Sequence, residues 1–191
     1  MEAPMPTIGT NVVVMNDGKV LLTKRSDIPV WCLPGGGVDA GESVAQTAVR
    51  EVLEETGVQV KLTRLVGIYS RPTWGLDGDH VLLFTAVPIG GQLQAQDGET
   101  VALGYFAPEN LPEPFLWWHW QRLQDALGGV TGAAWTQDVP WPFGQMTRQE
   151  LHGRRVEMST AVPTLVQQLT GNPRPGQEKR ELDGIIKQPP A

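Results

Sequence analysis

The segment from Ser43 to Gly57 constrains the fold more than any other stretch of this sequence. Its apolar residues recur at intervals of three and four, the spacing that places side chains on one side of an α-helix. Gly57 is a natural C-terminal stop. The apolar positions are Val44, Ala45, Ala48, Val49, Val52 and Leu53, and the other side carries Arg50, Glu51, Glu54 and Glu55. The pattern predicts an amphipathic helix whose three glutamates share an arc of roughly 100°.

Three glutamates on one helical arc have two interpretations. They repel one another at helical spacing, which is mildly destabilising, and a solvated charged face tolerates that cost. Alternatively, converging carboxylates suit Mg²⁺ or Mn²⁺, hard cations that take carboxylate oxygens and water and often bridge to substrate phosphates. The helix alone leaves both interpretations open.

Short β-branched and apolar runs flank this helix and predict strands. Two runs separated by the turn signal Asn16-Asp17-Gly18 predict a β-hairpin. Gly35-Gly36-Gly37 predicts a loop that can approach a ligand closely. The predicted strands cover residues 11–15, 19–23, 58–60, 65–69, 80–87 and 99–106, with a loop over 71–79.

Two further helices and a tail are predicted in the second half of the chain. The first helix has a buried stripe of Leu116, Trp120, Leu123 and Leu127 and ends at Gly128-Gly129. The second uses Val162, Leu165, Val166 and Leu169, with Ser159 or Thr160 as its cap. Residues 171–191 are rich in Pro, Gly and charge, which predicts a mobile tail.

The acidic helix is embedded in a longer spaced pattern. The stretch Gly36-x5-Glu42-x7-Arg50-Glu51-Val52-x-Glu54-Glu55-x-Gly57-Val58 resembles the Nudix box, GX5EX7REUXEEXGU with U aliphatic, at every defined position. The preceding Trp31-x-Leu33-Pro34-Gly35-Gly36 also resembles the usual Nudix lead-in. The resemblance implies an α/β fold, an α/β/α sandwich with a mixed β-sheet. It implies one domain over residues 1–170, with residues 130–170 as an extension of unassigned role.

The resemblance also implies roles for named residues. Glu51, Glu54 and Glu55 would hold Mg²⁺, with Mn²⁺ as an alternative, and the carbonyl of Gly35 or Gly36 is an additional candidate ligand. Arg50 lies one helical turn from Glu54 and can fix the orientation of a carboxylate. Glu42 lies where the helix begins, where it can cap N–H groups or reach the metal cluster.

The general base and the substrate remain open. Nudix enzymes hydrolyse a nucleoside diphosphate linked to another group, and the base is either Glu54 or Glu55 of the box or a loop glutamate such as Glu99. Pro72 lies 15 residues after Gly57, near a proline typical of ADP-ribose pyrophosphatases. The resemblance thus favours ADP-ribose or a nucleotide sugar. Candidate substrate contacts are Arg25 and Arg71 for phosphate or sugar and Tyr69 and Trp74 for base stacking.

Two alternatives compete with this substrate. One is a (d)NTP pyrophosphohydrolase that clears ordinary or oxidised nucleotides. The other is a non-catalytic Nudix module that senses a nucleotide, which an intact box and the lack of a helix-turn-helix pattern disfavour.

Composition restricts partners and compartment. With 15 Lys and Arg against 21 Asp and Glu, the net charge of −6 disfavours nucleic acid as a partner, and a small nucleoside diphosphate derivative is expected instead. The lone Cys32 excludes an intramolecular disulfide and a Cys-rich zinc site. Neither a secretory signal nor an apolar run of about 20 residues is evident. These features predict a cytoplasmic protein without a membrane partner, and many Nudix relatives are homodimers.

Overall fold

The computed structural model describes residues 5–96, 98–145, 162–171 and 176–186. Strands and helices alternate along the chain as an α/β protein requires. In chain order they are β1 (Thr7–Asn16), β2 (Lys19–Arg25), β3 (Trp31–Cys32), α1 (Val44–Thr56), β4 (Val58–Arg71), β5 (Asp79–Gly91), β6 (Thr100–Phe106), α2 (Trp117–Leu127), β7 (Val130–Thr131), β8 (Ala133–Gln137), α3 (Val162–Thr170), β9 (Glu178–Leu182) and β10 (Ile185–Ile186).

The main sheet is mixed, as predicted. Its strand order is β3-β2-β1-β5-β4-β8-β9, and β6 pairs with β2 beside that path. β1 runs parallel to β5, and β4 runs parallel to β8. β1 and β2 form the predicted hairpin, and β4 and β5 pair antiparallel over most of their length.

Helices cover both faces of the sheet, which confirms the predicted sandwich. Because side chains alternate across a strand, neighbouring valines of β1 enter different cores. Val12 and Val14 pack with Ala48 and Val52 of α1. Val13 packs on the opposite face with Leu123 of α2. The polar side of α1 thereby lies against the loop of Gly35 and Gly36, which hydrogen-bonds to β1.

The buried side of α2 differs from the predicted apolar stripe. Trp120 and Leu127 are exposed, whereas Trp118, Arg122 and Asp125 are buried. The polar members are buried because they have hydrogen-bond partners: Asp125 accepts from the Tyr69 hydroxyl and the Trp135 indole. A search for an apolar stripe cannot identify the buried side of a helix when that side consists partly of hydrogen-bonded polar groups.

Part of the predicted mobile tail is ordered as strands, so that prediction is wrong for those residues. β9 pairs antiparallel with β8, and β10 pairs with β7. β9 is mostly exposed and is held at the sheet edge by backbone hydrogen bonds. Its composition, which is rich in charge, does not indicate such pairing. Within the described ranges, no helix has the length and apolar content needed to cross a bilayer.

Candidate active site

Local signals fix both ends of the acidic helix. Ser43 and Gln46 form a reciprocal capping box, in which the Gln46 backbone N–H donates to Ser43 Oγ at 3.2 Å and the Ser43 N–H donates to Gln46 Oε1 at 2.8 Å. Gly57 ends the helix in the left-handed region, with φ of 71°, and its N–H donates to the Leu53 carbonyl. The helix therefore occupies residues 44–56, as the sequence predicts.

Arg50 gathers the acidic side chains around itself. Its Nη1 donates to Glu51 Oε1 and Glu54 Oε2, each at 2.9 Å. Its Nη2 also donates to the Gly37 carbonyl at 3.3 Å. One guanidinium thus orients two of the three box glutamates and ties them to the glycine loop.

Glu42 orients Arg50 in turn. Arg50 Nε donates to Glu42 Oε1 at 2.7 Å, and Nη2 donates to Glu42 Oε2 at 2.8 Å, a two-bond fork that fixes the guanidinium plane. These hydrogen bonds, with another from the Thr47 hydroxyl, lower the pKa of Glu42 to about 2. Ser43, and not Glu42, caps the helix. Glu42 is also not among the residues that line the cavity.

Glu55 and Glu51 lie against the glycine loop. The Gly35 N–H donates to Glu55 Oε2 at 3.1 Å. A Cβ on Gly36 would come within 2.5 Å of the Glu51 carboxylate, so only glycine permits that approach. Burial raises the pKa of Glu55 to about 8 despite the Gly35 hydrogen bond, and the Glu51 carboxylate adds to the rise. Burial also raises the pKa of Glu51.

The donor set fits a hard divalent cation. Half-buried carboxylates with raised pKa values are groups that a nearby cation would stabilise in the ionised form. Among the described residues, no three His, Cys, Asp or Glu side chains converge closely enough to form a metal site. The Gly36 carbonyl accepts from the Thr10 N–H at 2.9 Å, which leaves it one lone pair.

Glu99 and Arg25 lie on the same side of the molecule as the box. The charge of Glu99 contributes to the raised pKa of both Glu51 and Glu55, which places its carboxylate within electrostatic range. Arg25 donates to Asp27 through Nε at 2.9 Å and Nη2 at 2.5 Å. Ser26 joins the two segments, because its N–H donates to the Glu99 carbonyl at 2.9 Å.

A cavity of about 560 Å³ joins the acidic residues to an aromatic wall, a size typical of small-molecule sites. The predicted residues Gly35, Gly36, Glu51, Glu55, Glu99, Arg25, Arg71 and Trp74 all line it. Glu54 is exposed at the rim of the helix. Pro72 is exposed too, and it is not among the residues that line the cavity.

The predicted pair Arg71 and Trp74 is part of the aromatic wall. Arg71 is buried and forms a two-bond ion pair with Asp79. Its guanidinium lies 4.7 Å from the Trp74 ring centroid and 5.3 Å from that of Trp118. Arg71 therefore supports the two rings as well as lining the cavity.

The stacking role predicted for Tyr69 is wrong. Tyr69 is fully buried in the core, and its hydroxyl donates to Asp125 Oδ2 at 2.7 Å. Successive residues of a strand point to opposite faces, and the register of β4 turns Tyr69 towards α2 rather than towards the cavity. The face of the sheet on which the Tyr69 side chain lies depends on the strand register, which the sequence alone does not reveal.

Several cavity residues were not predicted. Trp118, His119 and Arg122 line it from α2, and Trp141, Phe143 and Leu169 line it from the chain that follows. The rings of Trp74 and Trp141 are 4.9 Å apart, and those of Trp141 and Phe143 are 4.7 Å apart. The sequence Trp141-Pro142-Phe143 is an aromatic signal, but nothing local indicates that it folds back onto Trp74.

Comparison with known proteins supports the family that the Nudix box indicates. The NUDIX domain model matches residues 5–126. A Bacillus subtilis (strain 168) protein named "Putative 8-oxo-dGTP diphosphatase" is 46% identical over 109 residues, 56% of this chain and 71% of that protein. An ADP-ribose pyrophosphatase of Methanocaldococcus jannaschii is 39% identical over 113 residues, 56% of this chain and 66% of that protein.

A solved structure shows the same architecture. The MutT protein of Bacillus halodurans superimposes with a TM-score of 0.62 at 27% identity, covering 73% of this chain and 94% of that one. The two sequence relatives are named as a diphosphatase and a pyrophosphatase, and the two names differ in substrate. Because the family model covers more than half of the chain and the box is intact, this protein belongs to the Nudix hydrolase family.

Proposed function

We propose that this protein hydrolyses, with Mg²⁺, the pyrophosphate bond of a nucleoside diphosphate linked to another group. The observation that carries the proposal is the continuity of one cavity from the Glu51 and Glu55 carboxylates to the aromatic wall around Trp74. Such a cavity can hold a diphosphate at its acidic end while the rest of the nucleotide occupies the aromatic end.

The acidic end would bind the divalent cations. Glu51, Glu54 and Glu55 supply carboxylate oxygens, with a carbonyl of Gly35 or Gly36 as a further candidate. The chemistry supplied by Mg²⁺ or Mn²⁺ is neutralisation of diphosphate charge and activation of the attacking water. Arg50, itself held by Glu42, donates hydrogen bonds to Glu51 and Glu54 and would restrain these two side chains beside the cations.

Hydrolysis forms one P–O bond and breaks another. A water oxygen attacks one phosphorus, and the bridging oxygen leaves with the other phosphoryl group. The products are a nucleoside monophosphate and a phosphorylated remainder. Arg25 lines the cavity beside Glu99 and can contact phosphate oxygens, and Trp74 can stack on the base.

The proton of the attacking water needs a base, and Glu99 is one candidate beside Glu54 and Glu55. We expect Glu99→Gln to lower kcat by about 10²-fold or more if Glu99 takes that proton, because a general base contributes on the order of 10²–10⁴-fold. The substitution keeps the shape of an exposed side chain, so thermal stability should not change. Steady-state kinetics at saturating Mg²⁺ measure the effect, and unchanged turnover would assign the base to the box.

Two substrate classes fit the proposal. ADP-ribose or a nucleotide sugar is the first, on the proline argument and the relative named an ADP-ribose pyrophosphatase. A (d)NTP is the second, favoured by the 46% identity to the Bacillus subtilis protein. We also propose that the protein is cytoplasmic, forms a homodimer, and has neither a nucleic acid nor a membrane partner.

A substrate panel tests the proposed function. Full-length protein is incubated with ADP-ribose, nucleotide sugars, dinucleotides and triphosphates, with Mg²⁺ or with EDTA, and phosphate-containing products are quantified. We expect turnover with at least one diphosphate-linked substrate in Mg²⁺ and none in EDTA. Turnover of triphosphates alone would select the second class, and tight binding without any turnover would indicate a nucleotide sensor.

A further inference from the structure

The segment that follows β2 lines the cavity and is braced by its own hydrogen bonds. The Arg25 backbone N–H donates to the Val30 carbonyl at 3.1 Å, and the Ile28 N–H donates to Asp27 Oδ1 at 2.8 Å. Asp27 also accepts two hydrogen bonds from the Arg25 guanidinium. Asp27 therefore orients Arg25, and the hydroxyl of Ser26, which lies between them, bonds to a different part of the chain.

Ser26 makes two hydrogen bonds to the segment that carries Glu99. Its Oγ donates to the Gly98 carbonyl at 2.6 Å, across 72 positions of sequence, and its N–H donates to the Glu99 carbonyl at 2.9 Å. The first carbonyl belongs to the peptide unit before the Glu99 Cα, and the second belongs to the unit after it. Because peptide units are planar, the two bonds together restrict both backbone dihedral angles of Glu99.

Strand pairing fixes the chain on the C-terminal side of Glu99. Thr100 is buried and pairs with Arg25 at the start of β6. The register between β2 and β6 shifts between Lys24 and Arg25, which leaves Val101 as an extra residue of β6, a β-bulge. A bulge bends a strand locally and redirects the side chains beside it. The direction in which Glu99 leaves the sheet is thus set by pairing with β2.

The chain on the N-terminal side of Glu99 is tied to the acidic helix. The Gln92 N–H donates to the Gly57 carbonyl at 3.2 Å, and the Gln94 N–H donates to the Thr56 carbonyl at 2.9 Å. These acceptors end the helix that carries the box glutamates. Glu99 is therefore placed relative to the box through α1 on one side and through Ser26 on the other.

We propose that Ser26 is a positioning residue that holds Glu99 where its carboxylate reaches the attacking water. The inference rests on the proposed function, with Glu99 as the base that takes the proton of that water. Glu99 is exposed, so packing restrains its side chain little and the orientation of its backbone decides where the carboxylate lies. A base that must stay within hydrogen-bond distance of a water loses rate when its backbone can shift.

Ser26→Ala tests the role of the hydroxyl, since it removes the bond to Gly98 and keeps the backbone bond to Glu99. We expect kcat to fall by about fivefold, because one net hydrogen bond changes an equilibrium by about two- to tenfold. KM should stay within about twofold of wild type, because Asp27 still orients Arg25. Ser26→Thr keeps the hydroxyl and should retain kcat within about twofold. Steady-state kinetics of the full chain with ADP-ribose, and with dGTP, at saturating Mg²⁺ measure these values.

A double variant distinguishes positioning from a general loss of structure. In a Glu99→Gln background, Ser26→Ala should lower kcat by less than about twofold, because the carboxylate that Ser26 positions is already absent. A fivefold loss in that background would overturn the proposal. Wild-type kcat in either Ser26→Ala or Glu99→Gln would overturn it as well.

Hydrogen exchange, measured by NMR, tests the restraint without turnover. We expect the amides of residues 98–100 to exchange at least about fivefold faster in Ser26→Ala than in the wild type, and unchanged exchange would overturn the proposal. The matched control is Ser70→Ala. Ser70 Oγ lies 2.9 Å from His80 Nδ1, in an exposed hydrogen bond outside the cavity lining, so both kcat and exchange should stay at wild-type values.

Failure of the proposed function gives a different result from failure of this inference. If the wild-type chain turns over neither ADP-ribose nor dGTP in Mg²⁺, the proposed hydrolysis fails for both substrate classes. Faster exchange in Ser26→Ala would then still support the restraint of Glu99 by Ser26, and unchanged exchange would refute it.

Discussion

Glu54→Gln is expected to lower kcat by about 10²-fold or more while the protein remains folded. The carboxylate is a proposed ligand or base, and its replacement by an amide removes both the charge and the proton-accepting oxygen. The side chain is 47% exposed, and its bond to Arg50 is a surface ion pair, so the loss in stability should stay within about 1 kcal/mol. Kinetics at saturating Mg²⁺ and thermal melting measure the two effects separately.

Glu109→Gln is the matched control for this result. Glu109 is an exposed glutamate in the loop after β6, outside the cavity lining, and its substitution should leave kcat unchanged. Wild-type turnover in folded Glu54→Gln would remove Glu54 from the mechanism. A parallel loss in the control would show that the assay responds to surface charge rather than to the box.

Gly35→Ala is expected to destabilise the protein by at least about 2 kcal/mol and to abolish turnover. Gly35 has a φ of 145°, a conformation that residues with a Cβ rarely adopt. A Cβ there would lie 2.1 Å from the Thr10 carbonyl oxygen, so β1 or the loop would have to shift. That shift would also move the N–H that orients Glu55. For a chain of this length, the melting temperature should fall by about 4 °C or more.

Gly37→Ala provides the comparison within the same loop. A Cβ on Gly37 has no atom within 4 Å, and the loss in stability should stay within about 0.5 kcal/mol. Equal stability of the Gly35 and Gly37 variants in thermal melts would contradict the close approach of the loop to β1.

The acidic helix could be predicted because its information is local. Ser43 and Gly57 fix its ends through backbone hydrogen bonds within a few residues, and helical spacing alone sets Arg50 beside Glu54. The position of Glu51 and Glu55 beside the glycine loop could be predicted because their spacing resembles the Nudix box. The helix ends and the Arg50–Glu54 pair need no contact between distant parts of the chain, whereas the Gly35–Glu55 hydrogen bond joins residues 20 positions apart.

The aromatic end of the cavity could not be predicted because it depends on distant contacts. Tyr69 is buried by the register of β4, whereas Trp74, in the turn that follows β4, lines the cavity. Trp141 reaches Trp74 only after the chain has passed through α2 and β8. Arg122 is buried because Asn11 and Gln137, which are remote in sequence, accept its hydrogen bonds.

The position of Trp141, Phe143 and Leu169 after the family-matched region, residues 5–126, has an evolutionary consequence. One part of the cavity wall is therefore encoded in a different stretch of the gene from the box glutamates that we propose to act in bond cleavage. Substitutions in that downstream stretch would change this part of the cavity wall without altering any residue of the box.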